Sequence, residues 1–297
     1  MDTISETMNY KVAEKIDELR NDKLHGAGWL SRQAISILNL AIGKSQACTV
    51  ADFIDEARMV ATELAQARPS MISIPNYIHQ FLHQIMMGAE CEKDLDSLKI
   101  WAQAKGNELV KLSKQADSRA IGYGCGIISS QDMVITCSYS STVCRAFELA
   151  MRNEEEFCVM VAESMYNGEA FGEIAARRLQ KHQIPVEVIP DESIHLYVSK
   201  ADKALVGADS ILADGTLING TPTFRLAQAA REENIPFYAV CESAKFDIRG
   251  YIAKVSEPEL GFDKTPPDLI TGIITEKGIM QPSLVIAYIE TMASSSQ

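Results

Sequence analysis

Near residue 118 the spacing of apolar residues changes, and that change limits what the chain can fold into. Before it, apolar side chains recur every three or four residues and no convincing strand appears. Asp2–Leu24 alternates apolar and charged residues at helical spacing, and Trp29–Ile42, Thr49–Gln66 and Ile74–Met87 repeat the period. Cys91–Ala116 is the longest such stretch, with Leu95, Leu98, Trp101, Ala102, Leu109 and Leu112 on one helical face. Gly26-Ala27-Gly28, Gly43-Lys44-Ser45 and Arg68-Pro69-Ser70 punctuate the series as joints. Residues 1–117 therefore read as a helical domain of about five helices.

After residue 118, short apolar and β-branched runs alternate with helical segments. The runs are Met133–Thr136, Phe157–Ala162, Val186–Ile189, Ala204–Gly207 and Pro236–Val240. Between them lie Ser141–Arg152, Gly168–His182, Ser193–Lys200 and Thr223–Glu233, and the tail adds a strand at Leu269–Ile274 and a helix at Ser283–Met292. Strands separated by helices imply parallel pairing, with helices covering both faces of the sheet. The fold class is α/β: an N-terminal helical domain followed by a Rossmann-like domain, residues 118–297, with a mostly parallel sheet. Such sheets bind ligands at the carboxyl ends of their strands, so function is sought in the loops found there.

With 297 residues, 46% of them apolar and 23% charged, the chain can bury a sizeable core, which rules out global disorder. Apolar runs are broken well before the ~18 residues that a membrane span needs. The start lacks a basic stretch leading into an apolar one, so no secretory signal is expected and the reading is cytoplasmic. Lys and Arg total 28 against 40 Asp and Glu, a net charge of −12 that argues against direct nucleic-acid binding. A small phosphorylated ligand stays possible, because a helix N-terminus and one cation hold a phosphate locally. The seven cysteines are scattered with no CxxC pair, which fits small buried residues better than a disulfide framework or a metal site.

Several loops after expected strands carry chemistry. Thr136-Cys137-Ser138-Tyr139-Ser140-Ser141 leads hydroxyls into a helix, as a phosphate site or simply as an N-cap. Glu163 follows the second strand. Asp209 stands after the fourth, a natural place for an acid/base, although a solvated turn carboxylate explains it as well. Asn219-Gly220-Thr221-Pro222-Thr223 opens a helix, with Thr221 or Thr223 as a cap or phosphate ligand. Lys245 is the lysine placed directly after a strand, suited to neutralising a phosphate or pairing with Glu242. Ile121-Gly122-Tyr123-Gly124-Cys125-Gly126 matches no phosphate loop. His79 and His83, four apart on one helix without a third ligand, read as surface or partly buried histidines.

Taken together, Gly207-Ala208-Asp209-Ser210-Ile211, Asp214-Gly215, Asn219, Ile235–Tyr238, Glu242–Phe246, Phe262–Ile270 and Ile274–Gly278 resemble one superfamily. Gly26-Ala27-Gly28 and Arg68-Pro69 resemble it too, so the matches run in order from about residue 25 to 283. That superfamily contains the α, β and δ regulatory subunits of translation initiation factor 2B, ribose-1,5-bisphosphate isomerase and methylthioribose-1-phosphate isomerase. The resemblance implies a helical domain plus a Rossmann-like domain, assembly as a homodimer or larger homo-oligomer, and a phosphorylated ligand in a cleft between the domains. It implies no cofactor and no metal. By resemblance, Asp209 falls on the isomerases' aspartate, Ser138 takes the place of their cysteine, and Cys137 stands where they have a histidine. His25, Gly26, Ala27, Gly28, Arg68, Tyr139, Ser140, Glu163, Asn219, Thr221 and Lys245 are the corresponding ligand contacts.

The chain departs from the isomerases in ways that matter physically. His25 replaces their arginine, Met165-Tyr166 their Arg-Pro, and Asn219–Thr223 has lost their lysine. Each lost cation forfeits a charge-assisted hydrogen bond, ~1.5–3 kcal/mol. A serine in place of the thiol needs an activating base. Two readings follow: a regulatory sugar-phosphate or nucleotide binder, which these departures favour, and a divergent aldose–ketose isomerase using Asp209 with Cys137 or Ser138.

Overall fold

The helical period holds through the first part of the chain. The computed structural model describes residues 8–22, 25–68, 71–92, 94–248 and 260–294. Its contacts divide the chain into two units, Met1–Gln115 and Ala116–Gln297. The first contains α1 (Tyr10–Asn21), α2 (Ala27–Lys44), α3 (Val50–Gln66), α4 (Ser73–Cys91) and most of α5 (Leu95–Cys125). Residues spaced i, i+4, i+7 make its core: Val12, Ile16 and Leu19, then Phe53, Ala57 and Val60, then Ile74, Ile78 and Phe81. Asn9 caps α1 through Lys11 N, and Thr49 caps α3 through Asp52 N, both at 3.1 Å. The ends of the expected first helix and Pro69-Ser70 of one expected joint lie outside the described residues.

Helix α5 is 31 residues long and continues through the point where the apolar period changes. The glycines Gly122 and Gly124 are therefore helical, in a stretch whose glycine pattern matches no phosphate loop. His79 and His83 are exposed on α4. Among the described residues no helix is long and apolar enough to cross a membrane.

The second unit begins with β1 (Met133–Thr136), α6 (Ser141–Arg152), β2 (Cys158–Ala162), the two-residue strands β3 (Met165–Tyr166) and β4 (Glu169–Ala170), α7 (Phe171–Lys181) and β5 (Val186–Ile189). It continues through α8 (Ile194–Tyr197), β6 (Lys203–Val206), β7 (Ser210–Ile211), β8 (Leu217–Gly220), α9 (Thr223–Glu232) and β9 (Phe237–Val240). It closes with β10 (Phe262–Thr265), β11 (Gly272–Thr275), β12 (Gly278–Met280) and α10 (Val285–Ser294).

The main sheet runs β12-β11-β9-β6-β1-β2-β5, parallel throughout except for the β11–β12 pair. From the β5 edge its parallel strands follow the doubly wound order 3-2-1-4-5-6, and the winding reverses between β1 and β6. Successive strand residues bury on opposite faces. Val134, Val159, Val161, Leu205, Val240 and Ile274 pack with Phe147 of α6 and Leu179 of α7. Ile135, Met160, Ala162, Val206, Ala239 and Ile273 pack with Ile194, Leu226 and Ile289 of α8, α9 and α10. Burial on both faces explains why these strands read as unbroken apolar runs.

The structure adds what sequence spacing did not reveal. An antiparallel sheet, β10-β8-β7, is present, with β7 and β8 overlapping expected loops, and the β3–β4 hairpin takes an expected loop together with the first residues of the expected helix Gly168–His182. The hairpin, turned at Gly168 with φ +80°, delays α7 to Phe171. The expected helix Ser193–Lys200 is a single α-turn between two 3₁₀ turns.

Candidate functional site at the sheet's reversal point

Where the winding reverses, the loops after β1 and β6 leave neighbouring strands at their carboxyl ends, and in sheets of this order the crevice between such loops is where ligands bind. The first loop is Cys137–Ser140 and the second Gly207–Asp209. Ser138 takes φ +59°, a left-handed backbone that non-glycine residues seldom adopt. Its N–H donates to Ser164 Oγ at 2.6 Å. Ser138, Tyr139 and Ser140 are each half-buried. Ser140 caps α6, its hydroxyl accepting from Val143 N at 3.3 Å, which leaves the N–H groups of Ser141 and Thr142 without an intrahelical acceptor.

Two glycines make room for these hydroxyls. A Cβ on Gly207 would lie 2.6 Å from Ser140 Oγ, and one on Gly220 would lie 2.6 Å from Ser138 Oγ. Gly220 ends β8, whose buried Asn219 donates from Nδ2 to Thr223 Oγ1 at 2.9 Å. The Thr223 hydroxyl donates in turn to Gly220 O at 2.6 Å. Its hydrogen is thereby used, so in the 3.3 Å contact with Cys137 Sγ the thiol is the donor. Cys137 is fully buried, and burial pushes its thiol up to about 12. It is a neutral thiol at physiological pH and supplies no thiolate.

The N-terminus of α9 differs from that of α6. Phe224 N donates to the carboxylate of Asp263 on β10 at 3.0 Å, and Thr221 N donates to Gly261 O at 3.0 Å. A protein carboxylate therefore occupies the place an anion would take at α9. No such group caps α6 among the described residues, where Ser140 provides a neutral hydroxyl.

Asp209 is half-buried, its N–H donating to Ile218 O at 2.9 Å, which ties the β6 loop to β8. Lys245 is buried and donates from Nζ to Ala208 O, the carbonyl preceding Asp209. The β6 loop, Asn219 and Lys245 thus meet around one loop end. Tyr139 is directed elsewhere: its ring packs on the α6–α7 face and its hydroxyl accepts from Arg178 at 3.1 Å. Arg178 also donates to buried Glu148 at 2.6 Å. Glu163 is half-buried; its N–H donates to Ile189 O on β5 and its carbonyl accepts from Gly172 N at the start of α7, each at 2.9 Å.

In the helical unit the expected contacts gather around Asp22. Its carboxylate accepts from His25 N and meets His25 Nδ1, both at 2.8 Å, and its carbonyl accepts from Arg68. His25 stacks on Trp29 with ring centroids 3.7 Å apart. Gly26 starts α2 without a side-chain cap, followed by buried Ala27 and half-buried Gly28. The i, i+4 spacing of His25 and Trp29 was a legible signal for that stack. Nothing local in the sequence marks Ser164, Asp191 or Asp263, which act through distant backbone.

The Initiation factor 2 subunit family matches residues 23–261. An eIF-2B subunit 2-like translation initiation factor of Pyrococcus furiosus is 30% identical over 284 residues, covering 92% of this chain and 97% of that protein. A ribose 1,5-bisphosphate isomerase of Thermococcus kodakarensis is 28% identical over 300 residues, covering 93% and 92%. Among solved structures, translation initiation factor eIF-2B of Pyrococcus horikoshii superposes with a TM-score of 0.78 at 28% identity, covering 94% of this chain and all of that one. The eIF2B-beta2-delta2 complex from C. thermophilum gives 0.80 at 18% identity, a likeness of fold.

Proposed function

The chain belongs to the Initiation factor 2 subunit family, and we propose that it binds a phosphorylated sugar or nucleotide at the carboxyl ends of β1 and β6, in a regulatory rather than catalytic role. The contrast between two helix N-termini carries this reading. The α9 end already holds the Asp263 carboxylate, whereas α6 begins with a neutral cap beside two half-buried hydroxyls. A phosphate at α6 would gain the N–H groups of Ser141 and Thr142 and the hydroxyl of Ser140. Asn219, Thr221, Lys245 and Asp209 border the same crevice as candidates for the sugar hydroxyls. The neutral, buried Cys137 supports binding over thiol chemistry.

Asp209 favours a second reading, aldose–ketose isomerisation of a pentose phosphate such as ribose 1,5-bisphosphate, the substrate named for one relative. There a carboxylate at this place would move a proton between C2 and C1 of the opened sugar. We further propose a cytoplasmic protein that works as a homodimer or larger homo-oligomer, without direct nucleic-acid or membrane contact. Sedimentation should then give at least twice the 32.7 kDa chain mass.

A thermal-shift screen of ribose 1,5-bisphosphate, ribose 5-phosphate and nucleoside monophosphates tests binding, since a ligand of the folded state raises its stability by mass action. Following ketose formation and exchange of the C2 hydrogen with solvent separates the two roles. A regulatory binder shows a shift with neither product nor exchange. Product formation that falls ~10²–10⁴-fold in Asp209→Asn would replace it with the isomerase.

A further inference from the structure

Ser138 keeps a left-handed backbone, φ +59°, at the carboxyl end of β1, and Ser164 keeps one of φ +56° at the end of β2. Neither is glycine, so each conformation costs free energy unless its surroundings impose it. The surroundings form a chain of hydrogen bonds across three strand ends. The Asp191 carboxylate, just past β5, accepts from Ser164 N at 2.7 Å through Oδ1 and from Met165 N at 3.0 Å through Oδ2. Ser164, buried, donates its hydroxyl to Ala162 O at 3.1 Å and accepts from Ser138 N at 2.6 Å. The Asp191 carbonyl is held in turn by Arg225 of α9 at 3.2 Å.

We infer that Ser164 and Asp191 are positioning residues that impose the left-handed conformation of Ser138 and thereby aim the β1–α6 loop, an assignment whose functional half rests on the loop being the ligand site. Asp191 fixes the turn after β2 with two charge-assisted bonds. That turn presents the Ser164 oxygen to Ser138, and the bond to Ser138 N holds the next residues so that Ser138 Oγ lies against Gly220. The Ser138 N–H is consumed in the process, so a phosphate at this loop draws its backbone donors from residues after Ser138. Preorganising the loop before ligand arrives lowers the ordering cost of binding.

Amide hydrogen exchange of the 137–142 segment in the ligand-free protein, with calorimetric titration of ribose 5-phosphate and AMP, tests this. In Ser164→Ala, exchange at Ser138 should rise at least about fivefold beyond any change in global exchange, the loss of one hydrogen bond's protection. Asp191→Asn keeps one acceptor oxygen and should show a smaller rise in the same segment. Both variants should weaken probe binding in the same order. Because glycine adopts φ +59° without strain, Ser164→Ala should cost less affinity in a Ser138→Gly background than in the wild type. Unchanged exchange in Ser164→Ala overturns the hold, with or without a ligand. Raised exchange with unchanged affinity overturns the positioning role alone. If neither probe binds the wild type, the ligand reading and the role in binding fall together, while exchange still decides the hold.

Discussion

Cys137 and Ser138 are neighbours that the fold treats differently. Burial pushes the thiols of Cys137, Cys144 and Cys241 up to about 12, from 9.0 for an ordinary thiol. Below pH 9.0 folded and unfolded chains both hold these protons, and up to about pH 12 only the folded chain keeps them. Stability from this source is therefore complete below about pH 9 and lost as pH rises further. Cys137→Ala should accordingly destabilise less at about pH 10.5 than at pH 7, as read by denaturant midpoints; equal destabilisation would contradict burial of a neutral thiol. In native protein a maleimide should label exposed Cys48 and Cys91 first and reach Cys137 only on unfolding. The two glycines differ as well. A Cβ at Gly207 would crowd both Oγ and Cβ of Ser140, at 2.6 and 2.7 Å, whereas at Gly220 only the Ser138 Oγ is that close. Gly207→Ala should cost ~1–3 kcal/mol in urea unfolding, and Gly220→Ala less, because a lone hydroxyl can rotate away.

At the scale of elements, the proposed phosphate site would join the stability of helix α6 to binding through Ser140. Replacing the cap with alanine should cost ~1 kcal/mol. Ser140→Asp should keep that stability, since aspartate caps well, yet place a negative charge where a phosphate would sit. Elements with a clear apolar or amphipathic pattern were legible from sequence: β1, β5 and α6 fall on the expected residues, because their side chains follow the burial that the sheet and its covering helices impose. The small sheet was not. Its strands β7, β8 and β10 have two to four residues, and Asn219 and Asp263 within them are polar for reasons that lie in α9. Edge strand β12 was hidden in the same way, with three residues of which the first is Gly278 at φ +108°. The end of α5 was masked by glycines that alone suggest a loop.

For the whole molecule, alternating strands and helices announced a parallel sheet, but not which strands lie at its centre. That order comes from pairing over distances at which no local pattern survives, β1 lying between β2 and β6. It also sets the place of the proposed site, since the reversal of winding puts Ser138 and Asp209 after adjacent strand ends. Sequence indicated both residues one at a time; the pairing of β1 with β6 gives the reason they border one proposed crevice. The central claim is that this crevice holds a phosphorylated ligand at the start of α6. Calorimetric titration of ribose 1,5-bisphosphate, ribose 5-phosphate and AMP into wild type and Ser140→Asp addresses it directly. Saturable binding of at least one phosphate ester is expected, with ribose or adenosine, titrated as the unphosphorylated control, at least about tenfold weaker and binding lost in a stably folded Ser140→Asp. Binding of equal strength in Ser140→Asp, or none by the wild type to any of the three, would contradict it.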